Sequence, residues 1–471
     1  MYIEIRNIGI IKDSKIKLDG LSIITGKNNS GKTTVGKILY SYLDGIADIP
    51  ANVKIDKDNY VKGTLSRIMS QFSLIFDFDV PPKQQEYNDF ITDYPCMIAL
   101  LNLSIFKTKQ NYKVFVQNLL EELKKIDVDK YYVLSNLYKQ NNNEKSISFI
   151  KDHINVIINL SIDNINKMLG LIDNDPTFVN YTQERINTMF ETEFSNQIQL
   201  VKKTVEKSEI IIQEDKLPLV KLNFSNNKLI KKNIEIPYIS NCKRVYLIDN
   251  PFVLDERLDD YYEEVFNPDL NFVIDYSNIF NHNDRLKNVL RSKVIESTFE
   301  KTIINKSIED IKIKINKILP GTFEFSDDGD FYITDGNKLK VSNLATGSKL
   351  FSIVKILLEK GEIDDSTMLI FDEPEAHLHP EWQNDFAEII TLLVKELGVK
   401  VVLTSHSPNF VLALEANMRK YGISDKTNFY RTIFDKDGMV NYESANDNLE
   451  VIYGDFLSAF AKMKALRDNY I

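Results

Sequence analysis

Two short segments near opposite ends of the chain carry residues suited to binding phosphate. The first reads GKNNSGKT, from Gly26 to Thr33, and has the P-loop spacing of Gly, four residues, Gly, Lys, then Ser or Thr. Glycines here let backbone N–H groups wrap phosphate oxygens, and the following helix N-terminus adds a favourable dipole. A glycine-containing turn at a helix start is the alternative. The spacing favours a phosphate-binding loop made by Gly26, Asn28, Asn29, Ser30, Gly31, Lys32, Thr33 and Thr34.

The segments on either side of this loop suit it. LSIIT before it reads as a buried strand, and VGKILYSYL after it reads as a helix. In a loop of this kind the lysine contacts the β- and γ-phosphates and the last hydroxyl contacts Mg²⁺. We therefore expect Lys32 to bind the phosphates of ATP and Thr33 to bind Mg²⁺.

The second segment reads MLIFDEPEAHLHP, from Met368 to Pro380. TMLIF is a short apolar run that would place Asp372 and Glu373 at the carboxyl end of a parallel strand, where α/β sheets bind ligands. We expect Asp372 to hold Mg²⁺ through water and Glu373 to act as the general base toward the attacking water. A strand end capped by two acids is the alternative, and the P-loop argues against it.

A third segment, VKVVLTSHSPNF, reads as another buried strand whose end carries His406 in a serine-rich turn. His406 is expected to contact the γ-phosphate or the attacking water. A lone histidine at a strand end is otherwise a structural residue. Three of the five histidines, His377, His379 and His406, fall in these last two motifs.

With these motifs, the chain resembles the ABC-type ATPase superfamily in its RecF, SMC-like and OLD branch, in which DEPExHLHP and TSHSP recur. The match covers roughly residues 1–45 and 335–435. The resemblance implies an α/β fold, an ABC-type ATPase head whose mixed sheet carries the P-loop. Here a large, mainly helical insertion splits that head. It also implies hydrolysis of ATP with Mg²⁺.

The resemblance further implies a signature loop that reaches across a homodimer to the partner's γ-phosphate. The segment NLATGSK, Asn343 to Lys349, stands in its place and would contribute Thr346, Gly347 and Ser348. Ala345 and Thr346 depart from the family's LSGGQ or LSSGE form, which predicts slow hydrolysis rather than lost binding. Read without the family, ATGS is a helix N-cap.

Three weaker positions follow from the same resemblance. Gln71 is the nearest candidate for the Q-loop glutamine that normally ends a strand after the P-loop helix. Arg6 or Asn7, in the strand-forming segment YIEIRNIGII, would contact adenine. His379 stands where the family places its D-loop aspartate, so it would touch a partner subunit.

The pattern of apolar residues predicts four parts along the chain. Residues 1–45 form the N-terminal part of the ATPase, and 46–215 form a mainly helical insertion whose first part, about 50–100, is mixed. Residues 216–335 form a lobe of strands and helices that ends in a hairpin or meander. Residues 336–471 return to the ATPase with the signature, the acidic motif and the histidine.

Composition indicates a cytoplasmic protein with no membrane partner. No apolar run approaches the length of a membrane span, no signal peptide is evident, and two cysteines, Cys96 and Cys242, are too few for a disulfide framework. A net charge of −10 disfavours a broad DNA surface. Two interpretations stay open for six lysines, a local basic groove that binds DNA or a solvated face. They are Lys202, Lys203, Lys207, Lys228, Lys231 and Lys232.

No TOPRIM domain, HNH-type histidine cluster or hydrolase triad is recognisable, so we expect no nuclease site in this chain. Compact chains of this kind resemble the ATPase subunits of bacterial anti-phage systems such as Septu and PARIS. The leading hypothesis is an ATP-driven sensor and scaffold, a homodimer or higher oligomer, that controls a separately encoded nuclease or toxin. A RecF-like ATPase of DNA repair, closing on DNA, is the alternative, and a structural protein that binds ATP without turnover is a third.

Overall fold

The structure is a computed structural model. It describes residues 1–75, 84–101, 112–135, 144–199, 208–231 apart from 215, 234, 240–255, 281–292, 306–326 and 329–468. The described chain divides into two compact units. We call residues 1–48, 179–258 and 277–471 the sheet unit, and residues 49–178 the helical unit.

Fourteen strands are described, all in the sheet unit. They are β1 (Tyr2–Ile8), β2 (Ile11–Lys17), β3 (Leu21–Thr25), β4 (Ser208–Gln213), β5 (Val220–Ser225), β6 (Lys228–Leu229), β7 (Arg244–Ile248), β8 (Thr322–Ser326), β9 (Gly329–Thr334), β10 (Asn337–Lys340), β11 (Thr367–Asp372), β12 (Lys400–Ser405), β13 (Thr427–Phe434) and β14 (Val440–Ser444). Eleven of them form one mixed sheet in the order β6-β5-β4-β1-β2-β14-β13-β3-β12-β11-β7.

The parallel part of this sheet positions the site. β3 and β11 are continuous apolar runs with nearly every residue buried, as expected for parallel strands covered on both faces. β12 lies between them, with Ser405 paired to Thr25 and Thr404 paired to Asp372. β7 continues the parallel set beyond β11. The carboxyl ends of the four strands therefore meet at one edge.

The described helices are α1 (Lys32–Ile46), α2 (Ile49–Ile75), α3 (Gln84–Asp93), α4 (Pro95–Leu101), α5 (Tyr112–Lys125), α6 (Val128–Tyr131), α7 (Glu144–Ile172), α8 (Phe178–Glu193), α9 (His282–Arg291), α10 (Lys306–Ile318), α11 (Thr346–Glu359), α12 (Pro380–Leu397), α13 (Pro408–Tyr421) and α14 (Glu450–Asp468). Helices α2 to α7 belong to the helical unit, and α1 and α9 to α14 belong to the sheet unit. Helix α8 belongs to the sheet unit from its second residue, Val179, onward.

A chain of aromatic rings fixes the acidic strand against its helices. Phe386 of α12 meets Phe371 of β11 edge to face, with ring centroids 5.4 Å apart, and meets Phe351 of α11 at 5.3 Å. Trp382 packs on the other edge of Phe351 at 5.6 Å. Edge-to-face contacts of this kind favour one relative orientation of the rings. The end of β11 and the start of α11 are therefore held in one packed core.

Strands β8, β9 and β10 form a separate antiparallel sheet, which confirms the predicted meander. Phe323 and Tyr332 pack across it with ring centroids 5.2 Å apart. The chain then makes a short turn, Val341–Asn343, and enters α11. The meander thus leads directly to the predicted signature residues.

The helical unit has its own core. Its centre includes Phe90, Tyr94 and Tyr131, whose rings lie 4.9 to 5.6 Å apart. The prediction of a mixed region over residues 50–100 is wrong for the described residues, which are helical. Pro95 does not break the structure, because it begins α4, where its missing N–H needs no helical partner.

The four-part division predicted from the sequence differs from the compact units. Residues 216–335 were expected to form a lobe of their own, but β5 and β6 extend the main sheet and β7 pairs with β11. Strand pairing between segments distant in sequence decides this, and apolar spacing alone does not report it. A short 3-10 turn, Pro251–Leu254, follows β7, and residues 256–280 lie outside the described residues.

Among the described helices, none is long and apolar enough to cross a membrane. Both cysteines are free thiols; Cys242 is buried and Cys96 is half-buried. Burial raises the pKa of each thiol to about 12. Neither thiol is therefore ionised near neutral pH, which suits a packing role.

Candidate functional site

The P-loop lies between β3 and α1, as the sequence predicts. Three of its residues, Gly26, Asn29 and Gly31, have positive φ angles of 159°, 58° and 78°. A Cβ added at Gly26 would lie 1.8 Å from the Thr432 hydroxyl oxygen, so only glycine fits there. Gly31 caps the start of α1 in the left-handed conformation.

A cavity of about 570 Å³ opens over this loop. It is lined by Gly9, Ile10, Asn28, Asn29, Ser30, Gly31, Lys32, Thr33, Thr34, Asp372 and Glu373. The two motifs, separated by more than 330 positions in the sequence, therefore share one cavity. Its polar lining of backbone amides, hydroxyls, one ammonium and two carboxylates suits a phosphate group with a cation.

Lys32 is held inside the loop. Its ammonium donates to the carbonyl oxygens of Gly26, at 3.1 Å, and Lys27, at 2.9 Å, and lies 3.2 Å from Oε1 of Glu373. Only 4% of the side chain is exposed. The charge is thus fixed at the cavity wall by groups of the protein itself.

Asp372 connects the acidic strand to the loop. Its carboxylate accepts a hydrogen bond from the Thr33 hydroxyl at 2.5 Å, and another from the hydroxyl of Thr404 on β12. Burial raises the pKa of Asp372, although these two hydrogen bonds oppose the shift. A bound cation would favour the charged form of such a carboxyl group. The donor set of a carboxylate and a hydroxyl oxygen therefore fits Mg²⁺.

Glu373 has an unusual backbone. Its φ is +49°, in the left-handed region that a non-glycine residue rarely adopts. Its N–H contacts Thr404, at 3.0 Å from the hydroxyl and 3.2 Å from the carbonyl oxygen. The carboxylate lies between two cationic or protonatable groups, Lys32 at 3.2 Å and Nδ1 of His406 at 3.1 Å. The predicted base and the predicted histidine are thus in direct contact.

Glu375 is a residue to which the sequence analysis gave no role. Its Oε1 accepts from the Ser405 hydroxyl at 2.6 Å and from the N–H of His406 at 2.9 Å, and burial raises its pKa. It therefore holds the turn that presents His406. Its place in the DEPE motif, two residues past Glu373, was the available signal. Thr404, in the TSHSP segment, was missed in the same way.

Thr346, Gly347 and Ser348 do not line this cavity. They form the first turn of α11, where Gly347 and Ser348 are buried and Thr346 is half-buried. A Cβ at Gly347 would lie 3.0 Å from the carbonyl oxygen of His377 and 3.2 Å from the Trp382 ring. The helix start predicted by the N-cap reading is present, and within one chain these residues do not meet the P-loop cavity.

The weaker predictions have mixed outcomes. Gln71 lies inside α2 of the helical unit, so the expectation that it ends a strand is wrong. Arg6 is ion-paired with Glu4 at 2.9 Å and Glu209 at 2.8 Å. The segment around Arg6 and Asn7 reaches the cavity through Gly9 and Ile10, a contribution that the sequence analysis missed.

His379 caps α12, with its side chain 70% exposed. Of the lysines considered for a basic groove, Lys231 pairs with Glu184. Lys228 is exposed on β6. The other four, Lys202, Lys203, Lys207 and Lys232, lie outside the described residues.

A second cluster of charged residues sits in the sheet unit. His282, at the start of α9, has Nδ1 2.7 Å from Oε2 of Glu193 and Nε2 3.0 Å from Oδ1 of Asp249. The Asp249 contact is an ion pair whose alignment is too poor for a hydrogen bond. Burial lowers the pKa of His282, but the two carboxylates outweigh it and raise the pKa to about 9. The imidazole is therefore protonated at neutral pH.

Asp44 completes this cluster with two arginines. Its carboxylate lies 3.0 Å from Arg185 and 2.6 Å from Arg285. We call Asp44, Arg185, Glu193, Asp249, His282 and Arg285 the His282 cluster. Asp249 directly follows β7, and Ile248 pairs with Phe371, so Asp249 ends its strand beside Asp372. No sequence signal beyond the strand end itself marked this position.

The chain was compared with known families and structures. The family of the AAA ATPase domain matches residues 1–411. Solved structures that are similar include the SMC head domain from Thermotoga maritima, with 10% identity and a TM-score of 0.34; the match covers 94% of this chain and 97% of that one. Another is the Smc head domain with an extended coiled coil derived from Pyrococcus furiosus, bound there to the C-terminal domain of ScpA. It has 10% identity, a TM-score of 0.30, and coverage of 99% and 98%.

The family match spans both motifs that build the cavity, and the structure has the expected mixed sheet with a P-loop, interrupted by helices. The chain belongs to the AAA ATPase domain family.

Proposed function

We propose that this chain is an ATP-hydrolysing sensor and scaffold. ATP held between the P-loop of one copy and the signature residues of a second would set the geometry of the assembly. The assembly would control a separately encoded nuclease or toxin in bacterial anti-phage defence. The observation that carries the ATP-dependent step is the cavity that residues 28–34 line together with Asp372 and Glu373.

Binding is assigned to the loop and to Lys32. The ammonium contacts two loop carbonyls and Glu373, and a phosphate oxygen is a stronger partner for it than a carbonyl. Thr33 and Asp372 are the residues that would hold Mg²⁺, which when bound neutralises phosphate charge. Their direct hydrogen bond shows that the two oxygens already lie close enough to share one cation.

Hydrolysis is assigned to Glu373 and His406. When Lys32 turns to the phosphates, Glu373 loses its ion pair with that ammonium and becomes free to accept a proton from water. His406 remains beside it, held by Glu375, and can donate to the γ-phosphate or to the water. The constrained backbone of Glu373 keeps the carboxylate aimed at the cavity edge.

A second copy is proposed to complete the site. Thr346 is half-buried at the start of a long helix, where backbone N–H groups and the helix dipole favour an anion. It lies outside the cavity of its own chain. Joining two copies through ATP makes nucleotide state and assembly state one equilibrium, which is what a sensor needs. Slow turnover would prolong the assembled state.

The first experiment is to co-express the tagged chain with its neighbouring genes, with Lys32→Ala as the matched control, and to measure the mass and composition of the purified material. A stoichiometric second polypeptide, whose activity or retention changes in the control, supports the proposal. A chain that elutes alone and whose ATPase is stimulated by DNA, with a steep salt dependence, supports the RecF-like alternative instead.

A further inference from the structure

The longest described helix of the helical unit, α7, has large apolar side chains in solvent. Its buried face enters the core of the unit through Ile150, Ile154, Ile158, Ser161, Ile165 and Met168. Away from that buried face, Phe149, Val156 and Leu160 are 65%, 54% and 48% exposed. Large apolar side chains grouped on one helix face mark an interaction surface more often than isolated ones do.

Exposed residues of α7 are spaced along the helix as in the contact line between two packed helices. One line of exposed residues runs along one side of the solvent face of α7, and we call it the α7 stripe: Phe149, His153, Val156, Leu160, Asp163 and Lys167. Successive members are four and three residues apart in alternation, the a/d pattern of a coiled-coil seam. At 3.6 residues per turn they form a narrow line along the helix.

The polar members of the stripe form no ion pair with the part of the chain that the structure describes. Among the residues that the structure describes, neither Asp163 nor Lys167 forms an ion pair, and His153 only stacks on Phe149, with ring centroids 6.1 Å apart. By contrast, Lys151, on a flank of the same helix, is paired with Asp129 at 2.8 Å. The stripe is therefore the part of α7 whose charges are left for another molecule.

The stripe is complementary to a second copy of itself, which indicates that the other molecule is another copy of this chain. In an antiparallel pair, a positions meet d positions, so Val156 packs against Leu160 of the second helix at the centre. One step outward His153 faces Asp163, and beyond it the aromatic ring of Phe149 faces Lys167. Each layer joins apolar to apolar, imidazole to carboxylate or ring to cation.

A parallel pair lacks this complementarity. It would place Asp163 opposite Asp163 and Lys167 opposite Lys167, and like charges across a helix seam are unfavourable. The order of charges along the stripe thus selects one orientation as well as one partner.

We propose that the α7 stripe binds the same stripe of a second copy of this chain as an antiparallel helix pair. This contact needs no nucleotide and uses a different surface from the ATP-dependent one. A chain with both contacts can assemble beyond a dimer, because each copy then has two separate surfaces for other copies.

The test is the mass of the full chain in nucleotide-free buffer, measured by sedimentation equilibrium. We expect a concentration-dependent dimer for the wild type, a monomer for Leu160→Glu, and a dimer for the control Asn166→Glu, a polar exposed position off the stripe. A wild type that stays monomeric up to about 100 µM, or a Leu160→Glu variant of unchanged mass, overturns the proposal. Omitting nucleotide separates this result from the ATP-dependent assembly.

The orientation is tested by exchanging charges. Asp163→Lys and His153→Asp should each weaken the nucleotide-free dimer by about fivefold, and the double variant should recover most of the loss, because the pair is restored in reverse. Circular dichroism of each variant should show the helix content of the wild type, which excludes global unfolding as the cause of a weaker dimer. Additive losses in the double variant contradict the antiparallel register.

Discussion

Two groups of charged residues lie in the sheet unit, and they differ in what completes them. The P-loop edge joins Lys32, Asp372 and Glu373 around an open cavity of about 570 Å³. The His282 cluster joins similar residue types, but His282 and Glu193 have only 7% and 2% of their side chains exposed. Its positive and negative groups form ion pairs with one another inside the protein.

This difference distinguishes a binding site from a structural network that is built of the same residue types. At the P-loop edge the cation contacts carbonyls and one carboxylate beside open space, so a phosphate can replace them. In the His282 cluster the central pair, His282 and Glu193, is buried, so losing one partner leaves a buried charge uncompensated. Variants at the edge should therefore alter nucleotide chemistry, and variants in the cluster should alter stability.

Loss of ATP binding is expected for Lys32→Ala. Removing a charge that would contact two phosphates should weaken ATP binding by about 100-fold or more, while the thermal midpoint changes little. Lys27→Ala, which removes an exposed charge from the same loop, is the matched control and should bind normally. Titration calorimetry measures both. Equal affinities for the two variants would remove the P-loop assignment.

Glu373→Gln should leave ATP binding intact and slow hydrolysis by about 10² to 10⁴-fold, the usual contribution of a general base. The control is Glu381→Gln, at a position where 86% of the side chain is exposed. Single-turnover phosphate release separates chemistry from product release. A variant that hydrolyses ATP at the wild-type rate would show that another group accepts the proton.

His282→Gln should lower the free energy of unfolding by about 3 to 5 kcal/mol, because Glu193 then stays buried without its cation. Adding Glu193→Gln should recover part of the loss, and urea unfolding measures it. ATP affinity of the folded variant should be unchanged. If affinity falls and stability does not, the cluster belongs to the binding site and the comparison fails.

The pH dependence of stability also tests whether the His282 cluster stabilises the fold. The folded pKa of His282, about 9, lies above its ordinary value of 6.5, so its contribution is complete below pH 6.5 and is lost as the pH rises toward 9. The linked change is roughly 3 kcal/mol. The wild-type urea midpoint should fall across this window, and that of His282→Gln should be flatter. Parallel profiles would mean that His282 is neutral in the folded chain.

The smallest effect is expected at the signature. Thr346→Asp should reduce hydrolysis by about tenfold through repulsion of the partner's γ-phosphate, while a dilute single chain binds ATP normally. Asn343→Asp, exposed in the preceding turn, is the control. Gly347 is a poorer probe, because any Cβ there crowds His377 and Trp382 of the same chain. Lost binding in dilute Thr346→Asp would argue against a site shared between copies.

The sequence by itself determined the local chemistry. The P-loop glycines, the acidic pair after TMLIF and the strand before His406 have short-range patterns, because glycine φ, strand burial and helix starts depend on neighbouring residues. The meander was predicted for the same reason. Family membership then followed from motifs that the chain carries in order.

Tertiary structure alone decided which distant segments meet. The pairing of β7 with β11 brought Asp249 beside Asp372. The position of α9 placed His282 between Glu193 and Asp249. Strand order also moved residues 216–229 into the main sheet, and burial of one face of α7 left its other face exposed. These features depend on contacts between residues far apart in the chain, whose free energy no local pattern contains.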